Sequence, residues 1–179
     1  LYVKDNTIFT VKGGEKNTLI KDASEDLDWH PCDHGILTRD AHRFTLVSEW
    51  REKRSLGIHP CTAWRSGGDR IFFRRTMTFF QLTFDGIEHE IGVIDCDAWC
   101  PGYRGIYFRR GNHVRFRSIT GDELYLGEHH FTGWSGDERG LFLRDMENFA
   151  LVKHDGECIG LGKAKCEETG AGVHGVYLK

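Results

Sequence analysis

The densest group of ligand-type side chains is Trp29-His30-Pro31-Cys32-Asp33-His34-Gly35. Imidazole nitrogen and thiolate sulfur are donors that zinc favours, so His30, Cys32 and His34 are the candidate metal ligands, with His42 nearby in sequence. H-x-C-x-H is not a standard zinc spacing, and Pro31 stiffens the segment. A structural loop with Cys32 in a disulfide is therefore the favoured reading, and no metal or other cofactor is expected. Carboxylates are plentiful. Glu88, Glu90, Asp122 and Glu123 fall in expected hairpins, where two could flank a glycosidic bond, but solvated strand faces are their ordinary role. His129 and His130 are adjacent, so in a strand they point to opposite faces. The chain has no G-x-S-x-G, no H-E-x-x-H, no Walker-type phosphate loop and no G-x-G-x-x-G opening a helix. An enzyme with a metal site in its first unit is the least favoured function.

Two further residue sets could bind a ligand. The first is the series Trp29, Trp64, Trp99 and Trp134. Each ring either anchors packing or offers a platform on which a sugar stacks, and a recurring Trp is more often core. The segments after each Trp differ: HPCDHG, RSGGDR, CPGYRG and SGDERG. Variable loops on a repeated frame are where binding concentrates. Arg65, Trp99, Tyr103, Trp134 and Asp137 are accordingly the candidate ligand-binding residues. The second set is the basic ladder Lys4, Arg39, Arg74, Arg109, Arg144 and Lys179. Its structural reading is cation-π pairing with aromatic neighbours. Its functional reading is an anion-binding stripe for acidic polysaccharide, strongest where Arg74, Arg75, Arg109, Arg110, Arg115 and Arg117 crowd the middle units.

The elements that position these side chains follow from an internal repeat. The tryptophans of the series stand 35 residues apart, and the same step links Phe9, Phe44, Phe79, Val114 and Phe149. It also links Gly57, Gly92, Gly127 and Gly162, and Gly35, Gly105, Gly140 and Gly175, with Arg70 in the gap. The units are 1–35, 36–70, 71–105, 106–140 and 141–175, with a stub at 176–179, in a single repeat domain spanning 1–179. Within a unit, runs such as IFFR and FFQLTFDG alternate with period two and are broken by Gly turns, which is a hairpin signal. The Trp- and Pro-bearing third reads as a loop or one short strand, with Pro favouring the loop. Each unit is thus an antiparallel meander of three strands or four.

The expected fold is all-β: five tandem meander repeats in a β-propeller-like ring, with an open β-solenoid as the alternative. A solenoid would set the ladder cations in register at roughly 4.8 Å, costing roughly 1 kcal/mol per pair even in water. The stub would pair on an edge or reach a neighbouring molecule.

The 179 residues carry a net charge of -3, with 39% apolar and 28% charged residues, a globular composition that disfavours disorder and general nucleic-acid binding. No apolar run reaches the roughly 20 residues of a membrane helix. The chain opens at Leu1 without a signal-type apolar segment, as expected of a processed product or fragment. Six cysteines favour disulfides and a secreted, extracellular protein. Tectonin-like lectin repeats share the Gly, Trp and I-Y-x-R elements in another order and spacing, so no residue role carries over. The expected function is non-enzymatic: a multivalent, lectin-like binding module for a glycan or a repeated protein partner, with self-association possible. A structural, filament-forming protein is the alternative.

Overall fold

The computed structural model describes residues 2–4, 7–12, 15–20, 27–32, 34–48, 50–164, 169–172 and 175–178. Cys166, Lys179 and Asp33 lie outside them. Every element among the described residues is a strand, and every pairing is antiparallel. Sheet I holds β1 (Tyr2–Lys4), β2 (Thr7–Lys12) and β3 (Glu15–Ile20). Sheet II holds β4 (Asp28–Cys32), β5 (Gly35–Asp40), β6 (Arg43–Ser48) and β7 (Lys53–Ile58). Sheet III holds β8 (Ala63–Gly67), β9 (Arg70–Arg75), β10 (Thr78–Thr83) and β11 (Glu88–Val93). Sheet IV holds β12 (Ala98–Gly102), β13 (Gly105–Arg110), β14 (His113–Ser118) and β15 (Glu123–Glu128). Sheet V holds β16 (Gly133–Gly136), β17 (Leu141–Asp145), β18 (Asn148–Val152) and β19 (Cys158–Lys163). β20 (Thr169–Gly172) pairs with β21 (Gly175–Leu178), so the terminal stub lies beside a strand of its own chain.

Each four-stranded sheet is a sequential meander. Among the described residues no ladder joins equivalent strands of successive repeats. Instead the first strands are neighbours in space, β4 beside β8, β8 beside β12, β12 beside β16 and β16 beside β20. This is a propeller-like frame of open sheets, each taking its first strand from the end of one 35-residue unit and the other three from the next. The Trp-bearing segments are short strands, and of the three prolines only Pro60 lies in a connecting loop, between β7 and β8. Pro31 lies in β4 and Pro101 in β12, both at sheet edges, where a missing N–H need not break a ladder.

The recurring residues now have physical reasons. Gly57, Gly92, Gly127 and Gly162 pair with Phe44, Phe79, Val114 and Phe149, and each pairing stands at a register shift. All four glycines have φ between 104° and 123°, as a β-bulge asks of a residue without Cβ. The bulge turns Leu56, Ile91 and Leu126 into the core. At Gly35 the constraint is proximity: a Cβ would sit 2.2 Å from the Val47 carbonyl oxygen. The second strands carry unbroken apolar triplets because both faces are covered. Ile71 and Phe73 join the cluster shared with sheet II, while Phe72 joins the one shared with sheet IV. The Trp is the anchor between sheets: Trp64 stands edge-on to Phe44 at 5.0 Å and Trp99 to Phe79 at 5.2 Å. Burying such a side chain is worth roughly 3 kcal/mol or more. No helix among the described residues is long and apolar enough to cross a membrane.

Candidate functional site

The H-x-C-x-H segment is spent on packing. His30 meets the Trp64 ring edge-on at 4.5 Å, His34 meets Phe84 at 5.3 Å, and Cys32 packs on the core shared by sheets II and III. Burial pushes the His30 imidazole below its usual pKa, against the opposing pull of Asp28. Among the described residues no three His, Cys, Asp or Glu side chains converge as a metal site would need.

The ladder arginines stand where sheets meet. Arg39 Nη1 donates to Cys61 Sγ at 3.0 Å, and its Nε lies 3.6 Å from Asp28, which also accepts from the Trp64 indole. Arg74 lies over Phe79 at 5.8 Å, and Arg109 over Phe131 at 5.0 Å and Trp134 at 6.0 Å. The expected disulfides do not form among Cys61, Cys96, Cys100 and Cys158. Cys61 and Cys96 are one repeat apart, and each thiol sits beside a ladder guanidinium. Burial pushes both thiols up, with Arg39 and Arg74 opposing the shift. Burial pushes the Cys100 thiol up to about 12, against the opposing pull of Arg65 and a hydrogen bond with the Gly136 backbone.

Between sheets IV and V lies a cleft of about 680 Å³. Its rim is the β12–β13 turn, with Tyr103 and Arg104, and the β16–β17 turn, with Glu138 and Arg139. Phe116, Ser118 and Leu124 of sheet IV and His154 of the β18–β19 turn complete the lining. His154 ties the two sheets together. Its Nε2 lies 3.1 Å from the Glu138 carbonyl oxygen and so donates, which leaves Nδ1 of the neutral ring to accept from the Tyr107 hydroxyl at 3.2 Å. Burial pushes the Tyr107 phenol well up, keeping it a donor. Phe116 packs against both rings, at 4.9 Å from Tyr107 and 5.6 Å from His154.

Of the residues singled out in sequence, Tyr103 lines this cleft and is 40% exposed. Asp137 acts next to it. Its carboxylate accepts from the Arg139 backbone N–H at 2.8 Å and from the Arg139 guanidinium at 3.0 and 2.5 Å, fixing that arginine over Phe142. Arg65 and Trp99 are not brought to it. Trp99 is 8% exposed, and Arg65 covers its ring at 5.8 Å. Trp134 packs against Phe131 at 5.2 Å. Phe116 and Leu124 are cross-strand partners within sheet IV and read as ordinary strand residues, and His154 joins them only when sheet V packs alongside.

On the opposite edge of the sheets, the groove between III and IV encloses about 610 Å³. Arg110, Arg115, Arg117, Asp95 and Glu123 line it above Phe108 and Ile94. Glu123 accepts from Arg115 at 2.6 Å and from Arg117 at 2.5 Å. Partial burial raises the Glu123 carboxyl, but these two bonds outweigh it and hold the group below the usual carboxylate range. Arg110 lies 3.1 Å from Asp95. The equivalent groove between IV and V encloses about 410 Å³ and is lined by Leu143, Asp145, Ala150 and Cys158.

No family model matches the sequence, and no curated protein shows significant similarity to it. Solved structures do resemble it. A catalytically inactive virginiamycin B lyase from Staphylococcus aureus, crystallised with quinupristin, superposes with a TM-score of 0.55 at 11% identity, over 89% of this chain and 64% of the lyase chain. PorZ, a surface component of the type-IX secretion system of Porphyromonas gingivalis, gives 0.46 at 11% identity, over 94% of this chain and 32% of its own. The first likeness shows a shared propeller-like fold.

Proposed function

We propose that the chain is a binding module and that the cleft between sheets IV and V takes a saccharide. The observation that carries this reading is an exposed Tyr103 over an aromatic floor, ringed by Arg104, Ser118, Glu138 and Arg139. An apolar base with a few convergent polar groups is the usual build of a small-ligand site, and its volume lies in the usual range. A sugar ring offers an apolar C–H face to Tyr103 and hydroxyls to the charged rim. Asp137 pre-sets Arg139, which lowers the ordering cost on binding. The frame repeats but this lining does not: Gly68 and Glu138 stand where Tyr103 does in the neighbouring repeats. Several unlike sites on one frame are therefore a better description than one site copied in every unit. A secreted setting belongs to the same proposal.

Titration against a neutral oligosaccharide panel, with tyrosine fluorescence or calorimetry as readout, tests the reading. Binding should be lost in Tyr103→Ala while the melting temperature stays put. If Tyr103→Ala binds every saccharide that the parent binds, with equal affinity, the cleft is not the site.

A further inference from the structure

We infer that the groove between sheets III and IV is a second binding site, which takes the carboxylate of an acidic saccharide such as a uronic acid residue. The saccharide part rests on the reading above, whereas the anion part rests on this groove alone.

The 35-residue frame allows the same positions to be compared around the molecule. Between sheets II and III they are Arg75, Phe80, Leu82 and Glu88. There Arg75 lies over Phe80 at 4.5 Å and Phe73 at 5.1 Å, and forks onto both Glu88 oxygens at 2.7 and 2.6 Å. One cation meets one anion, and the arginine fills the space. Between sheets III and IV the counterparts are Arg110, Arg115, Arg117 and Glu123. Between IV and V they are Asp145, Ala150, Val152 and Cys158. The fold therefore accepts Phe or Ala, and Leu or Val, where Arg115 and Arg117 stand. Folding does not call for three guanidinium groups in one groove.

Among the groups that line the groove, these three face two carboxylates, Asp95 and Glu123, an excess of one positive charge, while Asp97 at its edge accepts from the Gly111 backbone N–H at 2.6 Å. Glu123 cannot relieve the imbalance or add to it by titrating near neutrality, because its neighbours hold it ionised. A single carboxylate balances the groove. Guanidinium forks suit planar oxyanions, and the three arginines grade inward from 74% exposed at Arg110 through 48% at Arg115 to 22% at Arg117. The apolar floor of Phe108 and Ile94 suits the ring that carries the acid. Tyr125, under Arg115 at 5.6 Å and bonded to His113 at 3.1 Å, forms an adjacent wall.

The test uses the full chain, a glucuronic-acid oligosaccharide, the same oligosaccharide with its carboxyls reduced to alcohols, and inorganic phosphate. Affinity is read by calorimetry and location by the NMR shifts of the His113 ring. The acidic form should bind and move His113, and carboxyl reduction should weaken binding roughly tenfold or more, as loss of a charge-assisted bond does. Arg110→Gln should weaken it similarly. Glu123→Gln, which frees two guanidinium groups, should tighten it. Opposite signs from these two variants, each still melting cooperatively, separate an anion site from a surface ion-pair network. Equal binding of the reduced form, or binding indifferent to both variants, overturns the inference. So does phosphate moving His113 when the acidic oligosaccharide does not. Neutral saccharides bound through Tyr103 with a silent groove would overturn this inference and leave the first proposal standing. An acidic saccharide in the groove with Tyr103→Ala inert would do the reverse.

Discussion

The grooves on either side of sheet III are built from the same positions of consecutive repeats, yet one is occupied by its own stacked arginine and the other is an open groove of about 610 Å³. Between sheets II and III, Arg75 is stacked on two phenylalanines and pinned by Glu88, Pro60 O at 2.7 Å and, through Glu88, by His59 at 2.6 Å. Between sheets III and IV, Arg110 reaches away to Asp95, and Arg115 and Arg117 share Glu123. The same backbone thus gives a sealed joint or a charged cavity, depending on whether the third strand offers Phe80 and Leu82 or Arg115 and Arg117. Stability resides in the repeated anchors, and binding character in the positions free to change.

The largest effects should come from breaking the aromatic anchor between sheets III and IV. Trp99→Ala removes the ring that stands on Phe79, and should cost roughly 3–5 kcal/mol in chemical denaturation, as for other large-to-small core changes. Arg115→Ala, in the open groove, should stay within about 0.5 kcal/mol, as surface changes usually do. Comparable losses in the two variants would mean that the open groove is as structural as the sealed one.

Glu88→Gln should come next. It unpins Arg75 and His59 together and should cost about 1 kcal/mol, the scale of a charge-assisted bond discounted for partial exposure. Glu123→Gln should cost less, because Arg115 retains access to solvent. Acid titration sharpens the contrast. Partial burial raises the Glu88 carboxyl, and the bonds from Arg75 and His59 more than reverse it, so its pKa in the fold lies below the ordinary 4.5. Such a group stabilises fully above 4.5 and loses that contribution as pH falls through its folded value. Melting temperature should therefore drop on acidification below about 4.5, the ordinary glutamate value, and drop less in Glu88→Gln. A variant with the same acid slope as the parent would remove Glu88 from the account.

Much of this frame was legible in the residues. The step from Trp64 to Trp99 and from Gly57 to Gly92 reported the repeat, and the alternation in FFQLTF reported a strand, whereas the bulges at those glycines came only with the strand register. Three other things were not legible, each for a physical reason. Pro31 and Pro101 argued for loops, because nothing local says that their strands are sheet edges. The even cysteine count argued for disulfides, but none forms among Cys61, Cys96, Cys100 and Cys158, and the guanidinium beside Cys61 comes from Arg39, 22 residues earlier. The aromatic floor of the cleft joins Phe116 to His154, and that meeting is a property of packed sheets, not of either repeat. Tyr103 was singled out because it stands in the variable segment after Trp99, and the structure sets it in the β12–β13 turn at the rim of that cleft.

The smallest expected stability effect belongs to the change that would erase the comparison. The double variant Arg115→Phe, Arg117→Leu gives the open groove the third-strand residues of the sealed one. Glu123 would lose both partners, but Arg110 occupies the position of Arg75 and can leave Asp95, lie over the new phenylalanine and fork onto Glu123. The exchange trades two partly exposed ion pairs for one stacked pair and added apolar burial, and such exchanges are often neutral or mildly stabilising. The melting temperature should therefore change little, while the groove closes and any anion binding there is lost. Retained anion binding would place the site elsewhere. A large loss of stability would show that Arg110 cannot make the move, and that the two grooves differ in backbone as well as in side chains.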